Sequence, residues 1–524
     1  MFSQHNNNHS DNIIAIVGSG LSGIAAFCQM VDKLIETSTE THKILLFEKE
    51  KEQFATGVPY TTDSPSIWTL NNPAAKLKLM ANGITMADWM NIAREKWEPS
   101  FHGISEEYPP RALVGLFLKD QYTSYKSKAL AHGIVIEEYI EEVIDLERDH
   151  DKWNLITNCQ RHFSINTLFL CLGHAPNNQF SHLKESRNFF PAGTRVDDLK
   201  RIPKDVDVYI IGGQATFVDI ALWLAYDNHH AGRIHVITRN PPIITTKGNN
   251  DACDASSIHG LTNILKTRYK KNTLRLSEAE SLFWNAYSVA AKKPVDLSKL
   301  PRPQTALSYQ IKKYKKDPLS DDSIGNVDEL RSFIFNFYFS GCYAEFWDKL
   351  KDEDKADFNQ RLYSFIFAYL TGITPLNAQL LLELYDRDLI VEENGLTSVR
   401  YDSNKKRFIL KFSNDDEEEA EYLIDSSGLG YDISKQNANF SLLSNLVTKG
   451  YLVPARFGGI QLNDYGQAFN GENELQSNLI CIGPAASYCH PVPTPYASFI
   501  AIDAVQKALS ALTFNTTSFQ LKAL

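Results

Sequence analysis

Near the N-terminus, Gly18-Ser19-Gly20-Leu21-Ser22-Gly23 sets glycines at the first, third and sixth positions of one turn. That spacing lets the chain turn sharply at Gly18, be approached closely at Gly20, and seat a helix against a strand at Gly23. Such a backbone can hold an anion. The first N–H groups of a helix lack intrahelical acceptors, and the helix dipole favours negative charge there. Glu48 closes the next apolar run, where a carboxylate accepts a hydrogen bond from a ribose hydroxyl and disfavours a 2′-phosphate. A second turn, Gly212-Gly213-Gln214-Ala215-Thr216, repeats half of the pattern. Thr216 falls in the first helical turn, Asp219 follows it, and Arg239 comes after the next strand, in position to hold a phosphate. Neither turn brings a nucleophilic triad or a metal-ligand set, so the chemistry belongs to what binds there.

The flanking residues supply the elements these turns need. Ile13-Ile14-Ala15-Ile16-Val17 is a short, β-branched apolar run that reads as a buried strand. Ile24, Phe27, Met30, Val31 and Leu34 recur at helical spacing, and Lys43-Ile44-Leu45-Leu46-Phe47 is the next strand. Strand, glycine turn, helix, strand and acid make a complete βαβ dinucleotide unit. Asp207–Ile211, the helix through Phe217, Ile220 and Leu224, and Arg233–Ile237 form a second opening of the same kind. Two later strand-ending glycines, Gly173 in Phe169-Leu170-Cys171-Leu172-Gly173-His174 and Gly483 in Ile482-Gly483-Pro484, favour FAD over NAD at the first site. Chains that bind two dinucleotides bring such crossings beside the flavin.

Elsewhere the pattern is plainer. Short strands are expected between 133 and 171. Leucines and aromatics at helical spacing over about 260–385 read as a helical insert, and strands return at Arg407–Phe412 and Tyr422–Asp425. The run Asp415-Asp416-Glu417-Glu418-Glu419 reads as a solvated hairpin tip, and Lys312-Lys313-Tyr314-Lys315-Lys316 as a solvated helix face. At about 150 residues per domain, 524 residues make several domain-sized units. A net charge of −10 argues against a nucleic-acid or anionic-membrane coat. Seven scattered cysteines with no CxxC pair fit a reducing cytoplasm rather than a disulfide framework or a zinc site. No apolar signal segment opens the chain, and the apolar stretch Tyr363–Ile373 is too short for a bilayer. A cytoplasmic protein with no membrane and no nucleic-acid partner is therefore expected.

Four further segments occur in a telling order: Gly57-Val58-Pro59-Tyr60, Leu70-Asn71-Asn72-Pro73-Ala74, Tyr108-Pro109-Pro110-Arg111-Ala112-Leu113-Val114-Gly115 and Leu172-Gly173-His174. With them the chain resembles the FAD/NAD(P)-binding monooxygenase-like family that includes FAD-dependent urate hydroxylase and L-aspartate N-monooxygenase. The resemblance is densest over 13–240. It is weaker beyond, where Ile424-Asp425-Ser426-Ser427-Gly428 and Ile482-Gly483-Pro484 carry it. It implies that Asn71 and Arg111 lie near the flavin or its pyrophosphate, with Asn71 the candidate catalytic residue. The residues alone allow a turn asparagine and a surface arginine. The resemblance also implies a flavin reduced by a nicotinamide, and then oxygen-dependent hydroxylation of a small molecule. His490 offers a proton shuttle or is a loop histidine without a chemical role. The second turn departs from the family pattern at Gln214, which occupies the glycine on which a pyrophosphate should rest.

The resulting expectation is an α/β, two-dinucleotide-binding flavoprotein, Rossmann-like and of glutathione-reductase type, with a helical insert. Its FAD domain occupies 11–195 and returns over 401–524, around an NAD(P)-binding-like domain at 200–400. FAD contacts are Gly18, Ser19, Gly20, Leu21, Ser22, Gly23, Glu48, Asn71, Arg111, Gly173 and Gly483. NADPH contacts are Gly212, Gly213, Thr216 and Arg239. The expected activity is an NAD(P)H-using monooxygenase that takes molecular oxygen and a small polar substrate, such as an amino acid nitrogen. An FAD protein or oxidase that no longer uses NADPH is the alternative.

Overall fold

A computed structural model describes residues 12–37, 42–173, 177, 179–238, 245–246, 254–292, 327–361, 363–428, 433, 441–456, 458–484, 498–514 and 519–521. The chain divides into two units, Met1–Asn178 with Gly430–Leu524, and Gln179–Leu429.

The first unit is built on a six-stranded sheet in the order Gln467–Phe469, Leu475–Cys481, Thr167–Leu170, Asn12–Val17, His42–Glu48 and Val135–Ile140. All pairs are parallel except the outermost, between Gln467–Phe469 and Leu475–Cys481. Successive side chains of a strand face opposite sides, and both faces of Asn12–Val17 are covered. Ile14 and Ile16 join a core with Ile24, Phe27 and Val31 of the helix Leu21–Thr37 and Leu118 of the helix Arg111–Ala131. Ala15 and Val17 join another with Trp153 and Leu155 of a three-stranded antiparallel sheet, Val143–Asp149, Lys152–Thr157 and His162–Ile165. This double burial explains why the strand reads as a continuous apolar run.

The second unit repeats the plan. Its parallel sheet runs Ile390–Asn394, Ile234–Thr238, Val208–Ile211, Tyr422–Asp425 and Phe189–Phe190. A three-stranded antiparallel meander, Leu396–Asp402, Arg407–Phe412 and Glu417–Ala420, covers one face through Phe408, Leu410 and Phe412 against Ile211, Ile237 and Leu423. The expected helical insert is present as Ser256–Arg268, Leu276–Ala291, Val327–Phe339, Cys342–Lys349, Asp352–Arg361, Tyr363–Thr371 and Pro375–Asp386.

Two sequence boundaries move. The return to the first unit, placed at 401, falls at Gly430, because Tyr422–Asp425 inserts beside Val208–Ile211 and carries the meander with it. The first crossing, placed at 195, precedes Gln179, because Phe189–Phe190 pairs with Tyr422–Asp425. The acidic run is also not all hairpin tip: Glu417, Glu418 and Glu419 are strand residues paired with Lys411, Leu410 and Ile409. Among the described residues no helix is long and apolar enough to cross a membrane.

Candidate cofactor sites

In the first turn every glycine answers to a neighbour. Gly18 sits at φ +95°, its N–H donates to the Phe47 carbonyl at 2.9 Å, and a Cβ there would lie 2.3 Å from the Cys171 carbonyl oxygen. A Cβ on Gly23 would lie 1.9 Å from the Gly18 carbonyl oxygen, so only glycine lets the helix close on the strand end. A Cβ on Gly20 would meet the Cα of Gly57 at 3.3 Å, and one on Gly57, at φ +68°, would meet the Cα of Gly20 at 2.9 Å. The glycine of the Gly57-Val58-Pro59-Tyr60 segment is therefore backbone against backbone with the turn. The helix Leu21–Thr37 has no acid in its first turn to compete with an anion for its N-terminal N–H groups.

Ser19 and Glu48 lock the turn. Oε2 of Glu48 accepts from both the N–H and the Oγ of Ser19, each at 3.1 Å, and the Ser19 Oγ accepts from the Ala55 N–H at 3.1 Å. Oε1 accepts from the Lys49 N–H at 3.0 Å. A carboxylate oxygen has two accepting positions, so Oε1 is the oxygen with capacity for a ribose hydroxyl.

The other predicted FAD contacts fall around this turn. Gly483, at φ +114°, would place a Cβ 3.4 Å from the Ser22 Oγ and 3.9 Å from the Gly173 nitrogen. The strand ends are tied together by Ile482 N–H to the Leu170 carbonyl at 2.9 Å and Cys171 N–H to the Val17 carbonyl at 2.8 Å. Gly173, at φ +66°, would place a Cβ within 4 Å of no described atom. Burial pushes the Cys171 thiol up to about 12, which keeps it neutral beside the turn. Arg111 opens the helix Arg111–Ala131, and its Nε donates to the Thr69 carbonyl at 3.3 Å. The adjoining Leu70 N–H donates to the Pro109 carbonyl at 2.9 Å, which fixes the segment carrying the half-buried Asn71 against the start of that helix. Gly115 seats the helix on the Gly57–Tyr60 segment: a Cβ there would lie 2.0 Å from the Tyr60 carbonyl oxygen. Burial raises the Tyr60 hydroxyl, and the Arg111 guanidinium opposes it.

The second turn is built likewise. Gly212 sits at φ +104°, its N–H donates to the Ile237 carbonyl at 2.8 Å, and a Cβ would lie 2.6 Å from the Ser426 carbonyl oxygen. Ser426 N–H donates to the Ile211 carbonyl at 2.8 Å, and its Oγ donates to the Ile211 and Gly212 carbonyls at 3.0 and 2.9 Å. Gly428, at φ +107°, is like Gly173 in that a Cβ there would meet no described atom within 4 Å. Sequence reasoning noted Ser426 and Gly428 only as motif letters; their part in the turn comes from strand Tyr422–Asp425 lying beside Val208–Ile211. Asp425 ends that strand almost fully buried and accepts the N–H and Oγ of Ser427 at 2.9 and 2.6 Å; burial raises its carboxyl and these bonds oppose the rise.

Gln214 precedes the helix Ala215–Leu222 in an extended conformation, and its side chain makes no capping bond. Its Oε1 is buried and has no hydrogen-bond partner, so the end of the side chain is folded into the protein. Gly213 is buried, Thr216 is exposed, and Asp219 is buried. Phe217, fully buried, takes the place that Gly23 holds in the first turn. Arg239, His174 and His490 lie outside the described residues.

Residues 15–175 match the family described as FAD-NAD(P)-binding. This stretch is an FAD-NAD(P)-binding domain. No functionally curated protein matches the chain significantly. Among solved structures, the chain resembles the FAD-bound cadaverine monooxygenase of the desferrioxamine pathway from Erwinia amylovora (TM-score 0.54, 12% identity, 95% of this chain and 93% of that one). It resembles L-lysine 6-monooxygenase from Pseudomonas syringae to the same degree (TM-score 0.54, 12% identity, 96% and 98%). Ornithine hydroxylase from Pseudomonas aeruginosa follows (TM-score 0.50, 12% identity, 95% and 97%). These likenesses establish the expected two-dinucleotide flavoprotein fold along nearly the whole chain, the FAD-NAD(P)-binding domain included.

Proposed function

We propose that the protein is an FAD-dependent, NADPH-using monooxygenase that hydroxylates a small polar molecule at an amine nitrogen. The observation that carries this reading is the duplication of one turn: Gly18 with Cys171 and Gly173, and Gly212 with Ser426 and Gly428, have the same backbone construction in two sheets. One chain is thus equipped for two dinucleotides. The fold is shared with a cadaverine monooxygenase, an L-lysine 6-monooxygenase and an ornithine hydroxylase, which supports the choice of an amine. Oxygen as co-substrate and a cytoplasmic setting belong to the same proposal.

The cradle at the first turn fits FAD, since a side chain at Gly18 or Gly23 would fill the space the turn needs. When bound, a flavin supplies the redox chemistry, taking electrons from a reduced nicotinamide and passing them to oxygen. The protein's residues do the holding. The helix N-terminus at Leu21 would hold the pyrophosphate and Glu48 Oε1 a ribose hydroxyl, and Gly173 and Gly483, without side chains, would leave room for the flavin beside the backbone. Arg111 and Asn71 stand on the layer that Gly57 and Gly115 press onto the turn. At the second turn Gly212, Gly213 and Thr216, with Arg239, are proposed to hold NADPH.

A second reading, an FAD protein that no longer uses NADPH, is favoured by Gln214 and Phe217, which replace two of the three glycines. Anaerobic mixing of the yellow protein with NADPH and with NADH separates the two. Flavin bleaching at a saturable rate supports the monooxygenase; no bleaching by either supports the second reading. Oxygen-dependent product from a screen of diamines and basic amino acids then names the substrate, and product without oxygen would exclude the chemistry.

A further inference from the structure

The meander of the second unit packs on the parallel sheet through apolar side chains, and a polar cluster lies at the same junction. There His235 of Ile234–Thr238, Glu393 of Ile390–Asn394 and Glu418 of Glu417–Ala420 offer a ring nitrogen and two carboxylate oxygens that all lie within 4.8 Å of one another. Nδ1 of His235 is hydrogen-bonded to Oε1 of Glu393. The opposite ring nitrogen, Nε2, lies 3.7 Å from Oδ2 of Asp207, and the ring stacks on Tyr209 with centroids 4.2 Å apart. His235 is 9% exposed, and Oε2 of Glu393 is buried without a donor of its own. Glu418 comes from the meander and brings its carboxylate oxygen within 4.8 Å of both the His235 ring nitrogen and the Glu393 carboxylate. Two carboxyls this close repel when both are ionised, so the arrangement favours a proton on one of them, which can then donate to the other.

We propose that His235, Glu393 and Glu418 form a proton-dependent clasp that fastens the meander to the parallel sheet and loosens when the cluster loses a proton. With His235 charged and Glu418 neutral, the imidazolium lies between Glu393 and Asp207, and Glu418 donates to Glu393. Each charge then faces its opposite, with Nε2 and Asp207 at ion-pair rather than hydrogen-bond distance. Removing the Glu418 proton leaves two facing carboxylates, and removing the His235 proton leaves Glu393 and Asp207 without the charge between them.

The charged surroundings act in the same sense. Burial, the bond to Glu393, the Glu393 charge and Asp416 push the Glu418 carboxyl up to about 7, and His235 opposes the rise. Burial alone would lower the His235 imidazole, but the bond to Glu393 and the charges of Glu393, Asp207 and Glu418 raise it overall. Arg407 of the middle meander strand acts on the stacked Tyr209. Both shifts are upward, so both contributions are complete below the groups' unfolded values and are lost as pH rises through the folded ones. The clasp is closed on the acid side of neutrality and open on the alkaline side. A divalent cation is the other occupant such donors suggest, but the direct Nδ1–Oε1 hydrogen bond already closes the gap an ion would fill.

The clasped strands end at the second turn: Thr238 precedes Arg239, and Ala420 leads through Tyr422–Asp425 to Ser426. The clasp does not depend on the proposed activity, but an effect of the clasp on NADPH does rest on that reading. Hydrogen exchange on the full-length, nucleotide-free protein tests the clasp alone, using protection factors corrected for the intrinsic pH dependence of exchange. Between pH 6 and pH 9 the protection of segment 407–420 should fall about tenfold or more, the change that one unit of pKa displacement carries. Glu418→Gln keeps a neutral donor toward Glu393 and should reduce that fall to the part His235 carries, whereas Glu419→Gln, whose native carboxylate pairs with Lys405, should leave it intact. Equal protection at the two pH values, or the same fall in Glu418→Gln, would overturn the proposal. So would a gain in protection on adding Zn²⁺ that Glu418→Gln lacks, which would make the cluster a cation site. If the clasp is confirmed but the half-saturating NADPH concentration varies with pH equally in both proteins, only the link to the nucleotide is refuted.

Discussion

Gly212 holds in the second sheet the place that Gly18 holds in the first. Each donates its N–H to the end of a neighbouring strand, and each has a backbone carbonyl, of Ser426 or of Cys171, where a side chain would have to go. The likeness is one of backbone geometry, and it persists although the second turn has lost two of its three glycines.

That relationship predicts a separation of function. Gly18→Ala and Gly212→Ala each force an L-residue into a left-handed conformation against backbone, a strain of about 1–3 kcal/mol. Gly18→Ala should yield protein depleted of flavin, read from the ratio of visible to ultraviolet absorbance. Gly212→Ala should keep its flavin and lose saturable reduction by NADPH in stopped flow. Normal reduction by Gly212→Ala would remove the second site.

Gly20 gives a graded test. An added Cβ meets Gly57 Cα at 3.3 Å, a contact that a small adjustment relieves, whereas a branched side chain cannot be fitted without lifting the Gly57–Tyr60 segment. Gly20→Ala should stay yellow, and Gly20→Val should purify colourless with a lowered melting temperature. Gly23→Leu should cost stability more than flavin affinity, because its obstacle is the Gly18 carbonyl inside the fold.

Much of this was legible in the sequence because the strands that carry the turns are buried on both faces and the glycines answer to fixed neighbours. Ile13–Val17, its helix and Glu48 are local features, readable in one stretch. Ser426 and Gly428 were not, since their role depends on a strand from far along the chain lying beside Val208–Ile211. Glu418 was hidden by composition: in a run of acids nothing distinguishes the one carboxylate that the two-residue period of a strand turns toward His235. The helical insert was legible as helix, but its periodicity says nothing of a substrate.

Gln214 behaves differently from the obstruction that its position suggests. Its buried, unpartnered Oε1 is an unsatisfied acceptor, which costs about 1–3 kcal/mol in the free protein. Gln214→Leu keeps the bulk and removes the acceptor, so the nucleotide-free variant should melt a few degrees higher, at about 2–4 °C per kcal/mol. If a donor on NADPH satisfies that oxygen, the same variant should need roughly tenfold more NADPH for half-saturation. A higher melting temperature with unchanged half-saturation would show that the oxygen serves no ligand.

His230 sets the acid limit of the second unit. It is 4% exposed, and burial holds its imidazole below the ordinary 6.5 despite the backbone of Val206 and the charges of Asp207 and Asp205. A group whose folded value is depressed binds its proton first in the unfolded chain, so its contribution is complete above about 6.5 and is lost as pH falls toward the folded value. This is opposite in sign to His235 and Glu418, whose contributions fade as pH rises. The pH profile of the second unit's stability should therefore be the sum of a rising limb owed to His230 and falling limbs owed to Glu418 and His235, the first two overlapping below neutrality. Protection factors for Val208–Ile211 and Ile234–Thr238, measured from pH 5 to pH 9, should trace that sum. His230→Asn should remove the rising limb and steepen the net fall, and Glu418→Gln should remove the part of the fall below about pH 7. A rising limb of unchanged slope in His230→Asn would show that another group carries it.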